Sequence, residues 1–348
     1  MFDGIQPAKA EQPPVFDLDN PLPLACIVGA PRCGTTSLFR FLKAHPNVCF
    51  SKPKEPHFFA LHDLNALDLP ELKDRVRGQY LMRFFPHLAA GETQLAEGSV
   101  SYLYAAERVR TILRIWPDAK FIISLRDPLQ LLPSIHQRLL YQGDENVRDF
   151  DRAWRLCPER AAGRRIPRTA IDPRLLRYDE IGQLGKHVQD FFDAVGKERC
   201  LVILYDDLAA DSAAVFNRML DFLGLPPFAY EGEQRRRARQ GFRFGWLQRL
   251  LKRPPVVTRA VLAGEQYRQR VTSKPAKQPG GVAKGVMKLR KRLIAWNAAP
   301  APPTRMSPEV EQEIRLLFSK DIDRLGALID RDLSHWLGRS HATRTPQA

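Results

Sequence analysis

Long apolar runs are missing from this chain. Nowhere in its 348 residues does one approach the roughly 20 residues that a membrane-spanning helix needs. The opening stretch, MFDGIQPAKAEQPPVFDLDNPLP, has acids and prolines and no apolar signal core, so the sequence predicts a cytoplasmic protein. Cysteine is scarce: Cys26, Cys33, Cys49, Cys157 and Cys200 are odd in number and widely spaced, a pattern of reduced thiols and not of a disulfide framework or zinc site. Acids are outnumbered, 39 against 54 Lys and Arg, for a net charge of +15. That surplus suits a polyanionic partner, whether nucleotide, acidic glycan, nucleic acid or anionic membrane surface. Zinc-finger spacing, RNA-binding aromatic motifs and a helix-turn-helix pattern are all lacking, so nucleic acid is not expected. Internal repeats are absent too. With 44% hydrophobic and 27% charged residues, the chain has the make-up of one large globular domain.

What is present centres on Leu24–His45, LACIVGAPRCGTTSLFRFLKAH. Leu24 to Val28 reads as a buried parallel strand, and Leu38, Phe39, Phe41 and Leu42 fall at helical spacing. Between them Gly29 and Gly34 bracket a loop, and Thr35, Thr36 and Ser37 open the helix. Strand, glycine-bracketed loop and helix N-terminus together aim backbone N–H groups at one point, which attracts phosphate. The spacing is near G-x-x-x-x-G-K-[ST], but Thr35 stands where the lysine belongs and the cation is Arg32, inside the loop. An ordinary strand-to-helix turn without a ligand is the alternative.

A second strand, Asn47–Phe50, leads into Ser51-Lys52-Pro53-Lys54-Glu55-Pro56-His57-Phe58-Phe59, an extended tip between two prolines. In an open α/β sheet such a tip falls on the rim beyond the strand ends, beside Arg32. Glu55 is a candidate general base, with His57 as its rival; the bland alternatives are a solvated loop carboxylate and a packed histidine. A third strand signal, Lys120 to Leu125, closes on Arg126-Asp127-Pro128. A helix follows with Ser134 about two turns in, so an arginine and a hydroxyl could cradle a dianionic phosphate. The other possibility is Arg126 paired with Asp127 and Ser134 facing solvent.

These motifs resemble the sulfotransferases that use 3′-phosphoadenosine 5′-phosphosulfate (PAPS), in particular bacterial members similar to the carbohydrate and heparan branch. Arg32-Cys33-Gly34-Thr35-Thr36-Ser37 resembles the 5′-phosphosulfate loop, and Leu125-Arg126-Asp127-Pro128 with Ser134 the 3′-phosphate motif. Lys54-Glu55-Pro56-His57-Phe58-Phe59 resembles the K-E-x-H-F-F segment whose Glu is the base. Glu97-Gly98-Ser99-Val100-Ser101-Tyr102 is similar to E-x-S-P-x-Y, with Val100 in place of proline; Ser99 or Ser101 could bond the donor or simply cap a turn. Leu204 to Leu208 and Phe222-Leu223-Gly224-Leu225-Pro226 carry further likeness, as does the terminal Arg331-Asp332-Leu333-Ser334-His335-Trp336.

The resemblance implies a P-loop-type three-layer α/β fold, with a central, mostly parallel sheet flanked by helices. It implies PAPS as co-substrate, no metal, and an acceptor glycan, glycolipid or small molecule. It also implies that the basic stretch of residues 231–253 closes over the donor, with Arg239 and Arg243 as contacts; a solvated charged face is the alternative. The remaining layout reads as a flexible arm (1–20), a single domain (21–340), a basic loop and connection (235–304) and a C-terminal helix opened by Ser307-Pro308 (307–338). One amphipathic helix is expected over 176–195 and another over 104–116. Oligomeric state is left open. Two other classes fit less of the pattern: an ATP- or GTP-dependent kinase, with Asp206 and Asp207 as its only metal-binding candidates, and a non-enzymatic basic module for glycan or nucleic acid.

Overall fold

The computed structural model describes residues 14–230, 232, 240–253, 281–300 and 304–338. Five strands, β1 (Leu24–Gly29), β2 (Val48–Phe50), β3 (Gln94–Glu97), β4 (Lys120–Leu125) and β5 (Cys200–Leu204), form one sheet in the order β2-β3-β1-β4-β5. Every pairing in it is parallel, as in Leu24 opposite Leu95 and Phe121 opposite Cys200. Such strands are buried on both sides, which explains their near-continuous apolar sequences. Because side chains alternate, β1 sends Ala25 and Ile27 to one face and Cys26 and Val28 to the other.

Among the described helices, those used below are α1 (Thr35–Ala44), α2 (Pro128–Gln142), α3 (Leu184–Val195), α4 (Ser212–Leu223), α5 (Gly245–Lys252), α6 (Gly281–Asn297) and α7 (Pro308–Ile329). On the Ala25 face, α1 and α4 pack through Leu38, Phe41, Phe216 and Leu220, with the Phe41 and Phe216 rings stacked at 4.1 Å. On the other face lie α2, α3 and α7. Val310, Ile314, Phe318, Ile322 and Leu325, three to four residues apart along α7, are all buried. Burying each such side chain is worth about 1.5–3 kcal/mol.

Local signals place the helix ends. Asp211 caps α4 by accepting from Ala214 N (2.9 Å), left-handed Gly224 ends it, and Ser307 caps α7 ahead of Pro308. The expected helix over 176–195 is broken. A short turn, Tyr178–Ile181, precedes α3, because Phe318 packs on Gly182 and the Asp321 carboxylate takes the N–H groups of Gly185 (2.7 Å) and Lys186 (2.8 Å). Likewise 104–116 folds as a turn of α-helix, Ala106–Val109, and a 3₁₀ segment, Arg110–Arg114.

Two further expectations change, and one arginine-rich stretch carries a buried pair. The arm is packed from Phe16 onward, with Phe16 and Leu18 buried and Asp19 paired to Lys73; its first thirteen residues lie outside the described ones. The arginine-rich 143–175 stretch holds a fully buried ion pair, Arg160–Glu145 (2.8 Å), joined by Tyr178. And within 235–304, read as loop and connection, α5 and α6 are helices and β6 (Gln240–Phe242) pairs antiparallel with β7 (Ala298–Pro300). Val286, Met287, Arg290, Leu293, Ile294 and Asn297 form the half-buried or buried face of α6, a helical spacing hidden among lysines and arginines.

β3 ends on Glu97, whose buried carboxylate accepts hydrogen bonds from Tyr80 (2.9 Å), Tyr102 (2.7 Å) and Ser99. Burial pushes this carboxyl up to about 7, against the pull of the three hydroxyls. Between about pH 4.5 and 7 the folded protein holds a proton that the unfolded chain gives up, so stability falls as pH rises through that window. The gap corresponds to about 3 kcal/mol.

Two predictions follow from these contacts. In thermal unfolding at pH 5, 6, 7 and 8, Glu97→Gln should flatten the decline in Tm that the parent shows as pH rises. At fixed pH, Gly185→Ala should lower Tm by an amount equivalent to about 2 kcal/mol or more, since its Cβ would collide with the Asp321 backbone. Gly78→Ala, whose Cβ meets nothing within 4 Å, is the matched control.

Candidate active site

All five parallel strands end at one rim, and each delivers part of the site. From β1 comes the loop Ala30–Gly34. Gly34 is left-handed (φ 85°) and forms the N-cap of α1; a Cβ there would stand 2.6 Å from Leu208. A glycine N-cap offers no side chain to the N–H groups of the first turn, so they remain available to an anion. The loop is held from β4, where Ser124 O accepts from Ala30 N (2.6 Å) and Ser124 Oγ donates to Cys33 O. The Cys33 thiol is buried, lies 3.7 Å from Pro31 O and is pushed up to about 12 by burial, so only the backbone of Cys33 can serve a ligand. Thr36 and Ser37 are half-buried on the first turn, and Ser37 N already bonds Gly34 O (2.8 Å).

Arg32 also has a left-handed backbone (φ 70°), and its Nε donates to Ser134 Oγ at 3.0 Å. The structure thus brings Ser134 to Arg32. Arg126, at the end of β4, stacks over the Tyr205 ring at 4.3 Å and donates to Gln130 Oε1 (2.9 and 3.2 Å). It does not take up Asp127, which caps α2 by accepting from Leu129 N (2.9 Å) and is pushed up to about 6 by burial. Both guanidiniums oppose the burial effect on the Cys33 thiol, so both flank the loop.

The tip after β2 supplies a third cation that the sequence reading gave no role. Lys54 Nζ lies 3.4 Å from Thr35 Oγ1 and 3.2 Å from Glu55 Oε1. Thr35 is the residue standing where a P-loop lysine belongs, so a lysine reaches that point from another strand. Gly98 leaves the room: a Cβ there would lie 3.1 Å from Lys54 Cε. The signal available beforehand was the missing lysine itself together with Lys54 beside Glu55.

His57 is clamped, and Glu55 is open. His57 N donates to Ser99 Oγ (2.7 Å), Nδ1 lies 2.7 Å from Ser101 Oγ, and Nε2 is 3.4 Å from Glu55 Oε2. Ser99 and Ser101 therefore serve His57. The Glu55 side chain is 31% exposed against 7% for His57, so of the two it is the more accessible from outside.

At the end of β5, Asp207 binds Arg331 through two bonds of 2.9 Å, and Asp206 accepts from Trp336 Nε1 (3.0 Å). Both candidates for the metal carboxylate of a kinase are thus engaged with the C-terminal segment, which packs through Leu333, Trp336 and Leu337 as expected. Arg243 lies over Trp296 (5.9 Å), and its N–H bonds Asn297 O (2.8 Å); Arg239 falls outside the described residues.

Comparison with known proteins bears on the family and the fold. The family model described as "Sulfotransferase family" covers residues 54–230, just over half of the chain. Carbohydrate sulfotransferase 15 of Rattus norvegicus is 24% identical over 266 residues, covering 61% of this chain and 45% of the relative. Heparan sulfate glucosamine 3-O-sulfotransferase 3B1 of Homo sapiens is 26% identical over 239 residues, covering 65% and 55%. The chain therefore spans about half the length of the curated relatives it matches. A sulfotransferase crystal structure from Alicyclobacillus acidocaldarius shares the fold, with a TM-score of 0.56 over 90% of this chain and 98% of that one at 23% identity. With its loop, its K-E-x-H-F-F tip and a family model spanning most of the sheet, the chain belongs to the sulfotransferase family.

Proposed function

We propose that this protein transfers the sulfonate group of PAPS to a hydroxyl, or an amine, of a carbohydrate or glycolipid acceptor. The observation that carries the reading is the position of Lys54, whose ammonium touches the first residue of the anion-binding helix and the Glu55 carboxylate at once. Anion site and base share one cleft. Bound PAPS supplies the sulfonate and departs as 3′,5′-ADP.

The residues present fit such a polyanion. Arg32 and the N–H groups opening α1 face the 5′-phosphosulfate, and Arg126 with Ser134 faces the 3′-phosphate. Arg32, through Ser134, links the two positions. Glu55 takes the acceptor proton as the new oxygen–sulfur bond forms. As the bond from sulfur to the 5′-phosphate oxygen breaks, Arg32 and the loop N–H groups take up the growing charge. Lys54 lies where the sulfonate oxygens pass between these two groups. His57, held by Ser99 and Ser101, positions Glu55 from behind. A carbohydrate-type acceptor is supported by the two relatives named for carbohydrate and heparan sulfate, and by the K-E-x-H-F-F tip.

Donor recognition is tested by thermal shift. At 100 times its dissociation constant, 3′,5′-ADP should stabilise the protein by about 2.7 kcal/mol without magnesium, and 5′-AMP far less. Equal shifts for the two nucleotides would remove Arg126 and Ser134 from the 3′-phosphate site.

Chemistry is tested by substitution, with a radiolabelled-PAPS acceptor screen as the assay. Glu55→Gln should lower turnover by roughly 10²- to 10⁴-fold while the 3′,5′-ADP shift stays parental. Lys54→Met should lower turnover on the order of 10²-fold, again with the shift retained, because 3′,5′-ADP carries no sulfonate. His57→Ala should cost less than either. If His57→Ala abolishes turnover in a folded protein while Glu55→Gln remains active, the base is the histidine.

A further inference from the structure

The whole positive surplus of the chain resides in one stretch. Between Glu233 and Glu309 stand nineteen Lys or Arg against a single acid, Glu265, a surplus of eighteen that exceeds the +15 of the entire protein. Without it the rest would be slightly acidic. Two described parts of this stretch, residues 240–253 and 281–300, contain nine bases and no acid. The same two pieces hold five of the eleven large hydrophobic side chains that are exposed among the described residues: Phe244, Trp246, Leu250, Leu289 and Trp296. Both exposed tryptophans are among them; Trp116, Trp154 and Trp336 are buried.

These side chains sit on a built surface. Arg290 Nε donates to Leu251 O (2.8 Å), and Asn297 Nδ2 donates to Phe244 O and Gln248 Oε1 (both 3.1 Å), so α5 and α6 lie side by side in opposite directions. The underside is tied to the body where Gln248 donates to Tyr141 O (2.7 Å) and Arg253 pairs with Asp144 (2.6 Å). On the outside, Phe244 stacks on Trp296 at 5.9 Å with Arg243 over the same indole. Trp246 and Leu250 are four residues apart and Leu289 and Trp296 seven apart, so each pair shares a helix face. Exposed Lys288, Lys291 and Arg292 surround Leu289. Burial, with Arg138, Arg290 and Arg253 nearby, pushes the Lys252 ammonium down to about 8.

We infer that the α5–α6 face docks on an anionic lipid bilayer. Only a membrane surface takes both halves of the pattern. Its headgroups meet the lysines and arginines, each worth about 1 kcal/mol near such a surface, and its interface receives Trp, Phe and Leu. A polysaccharide or nucleic acid would use the bases and leave Leu250 and Leu289 in water. A second copy of the chain would bring two surfaces of the same strong charge together. The anchoring contacts with Tyr141 and Asp144 are at the C-terminal end of α2, whose N-terminal end adjoins Arg126. Ser134 is seven residues, about 10 Å of helix, before Tyr141, and Arg126 lies further still, so docking at the C-terminal end leaves the donor site outside the bilayer. The inference is independent of the donor assignment, and it favours acceptors carried on lipid.

The test is co-sedimentation of the full chain with vesicles of phosphatidylcholine alone and of equal parts phosphatidylcholine and phosphatidylglycerol. Binding to the second only is expected, weakening as salt rises, with a blue shift of tryptophan emission. Trp246→Ser combined with Trp296→Ser should weaken vesicle affinity by about tenfold or more. Lys288→Glu with Lys291→Glu should do the same. Cooperative thermal unfolding checks that each variant is folded, and the 3′,5′-ADP shift, read separately, bears only on the donor site. Retention on heparin without vesicle binding would overturn the inference in favour of a glycan. Self-association through this face, or vesicle binding untouched by the Trp substitutions, would overturn it as well.

Discussion

The contact between Gly34 and the tip of β5 is the constraint on which the site depends. Gly34 can pass 2.6 Å from Leu208, measured to where a Cβ would be, only because it has no side chain and holds a left-handed backbone. That approach sets the start of α1 directly against Tyr205, and the Tyr205 ring carries Arg126. One missing side chain therefore brings an uncapped helix N-terminus and a stacked guanidinium to the same place. Larger residues would lever α1 away from β5 and part the two halves of the anion site.

Around that point the electrostatics are organised by strand of origin. Arg32 arrives from β1, Lys54 from beyond β2 and Arg126 from β4, so no single segment carries the positive charge of the cleft. The carboxylates are sorted by burial. Glu97 is sealed among three hydroxyls and fixes Ser99, which in turn holds the His57 backbone. Glu55, two residues before that histidine, keeps a third of its side chain in the open. The buried acid shapes the tip, and the other stays partly in reach of solvent beside Lys54 and His57. Asp206 and Asp207 sit on the same rim but are spent on Trp336 and Arg331, which fastens the C-terminal segment to β5 and withholds both from chemistry.

What could be read beforehand was what is local in the chain. Strand, glycine, loop and helix at Leu24–His45, the strand closing on Arg126, and the Ser307-Pro308 start of α7 each declare themselves within a few residues. Misreadings arose where distant residues decide. Asp321 and Phe318, over a hundred positions away, break the helix at Gly182 and Gln183. Spacing puts Ser134 with Arg126, and the fold adds a neighbour that spacing does not announce, the left-handed Arg32. Lys54 looked like part of a motif, whereas its function rests on an absence elsewhere, the threonine at position 35 and the open space at Gly98. The helix α6 was hidden because its buried face includes Arg290 and Asn297, polar groups satisfied by Leu251 and by Phe244 and Gln248.

The charge distribution follows the same division between body and appendage. The body is near neutral overall, yet it gathers three cations within one cleft; the appendage is strongly basic and faces outward. Neutralising the cleft takes a small, multiply charged ligand that fits between α1 and α2. Neutralising the appendage takes something broad and flat, because its bases and aromatic rings are spread over two antiparallel helices. Under the two proposals the anions differ in kind, one a nucleotide and the other a surface, and α2 runs from the first toward the second.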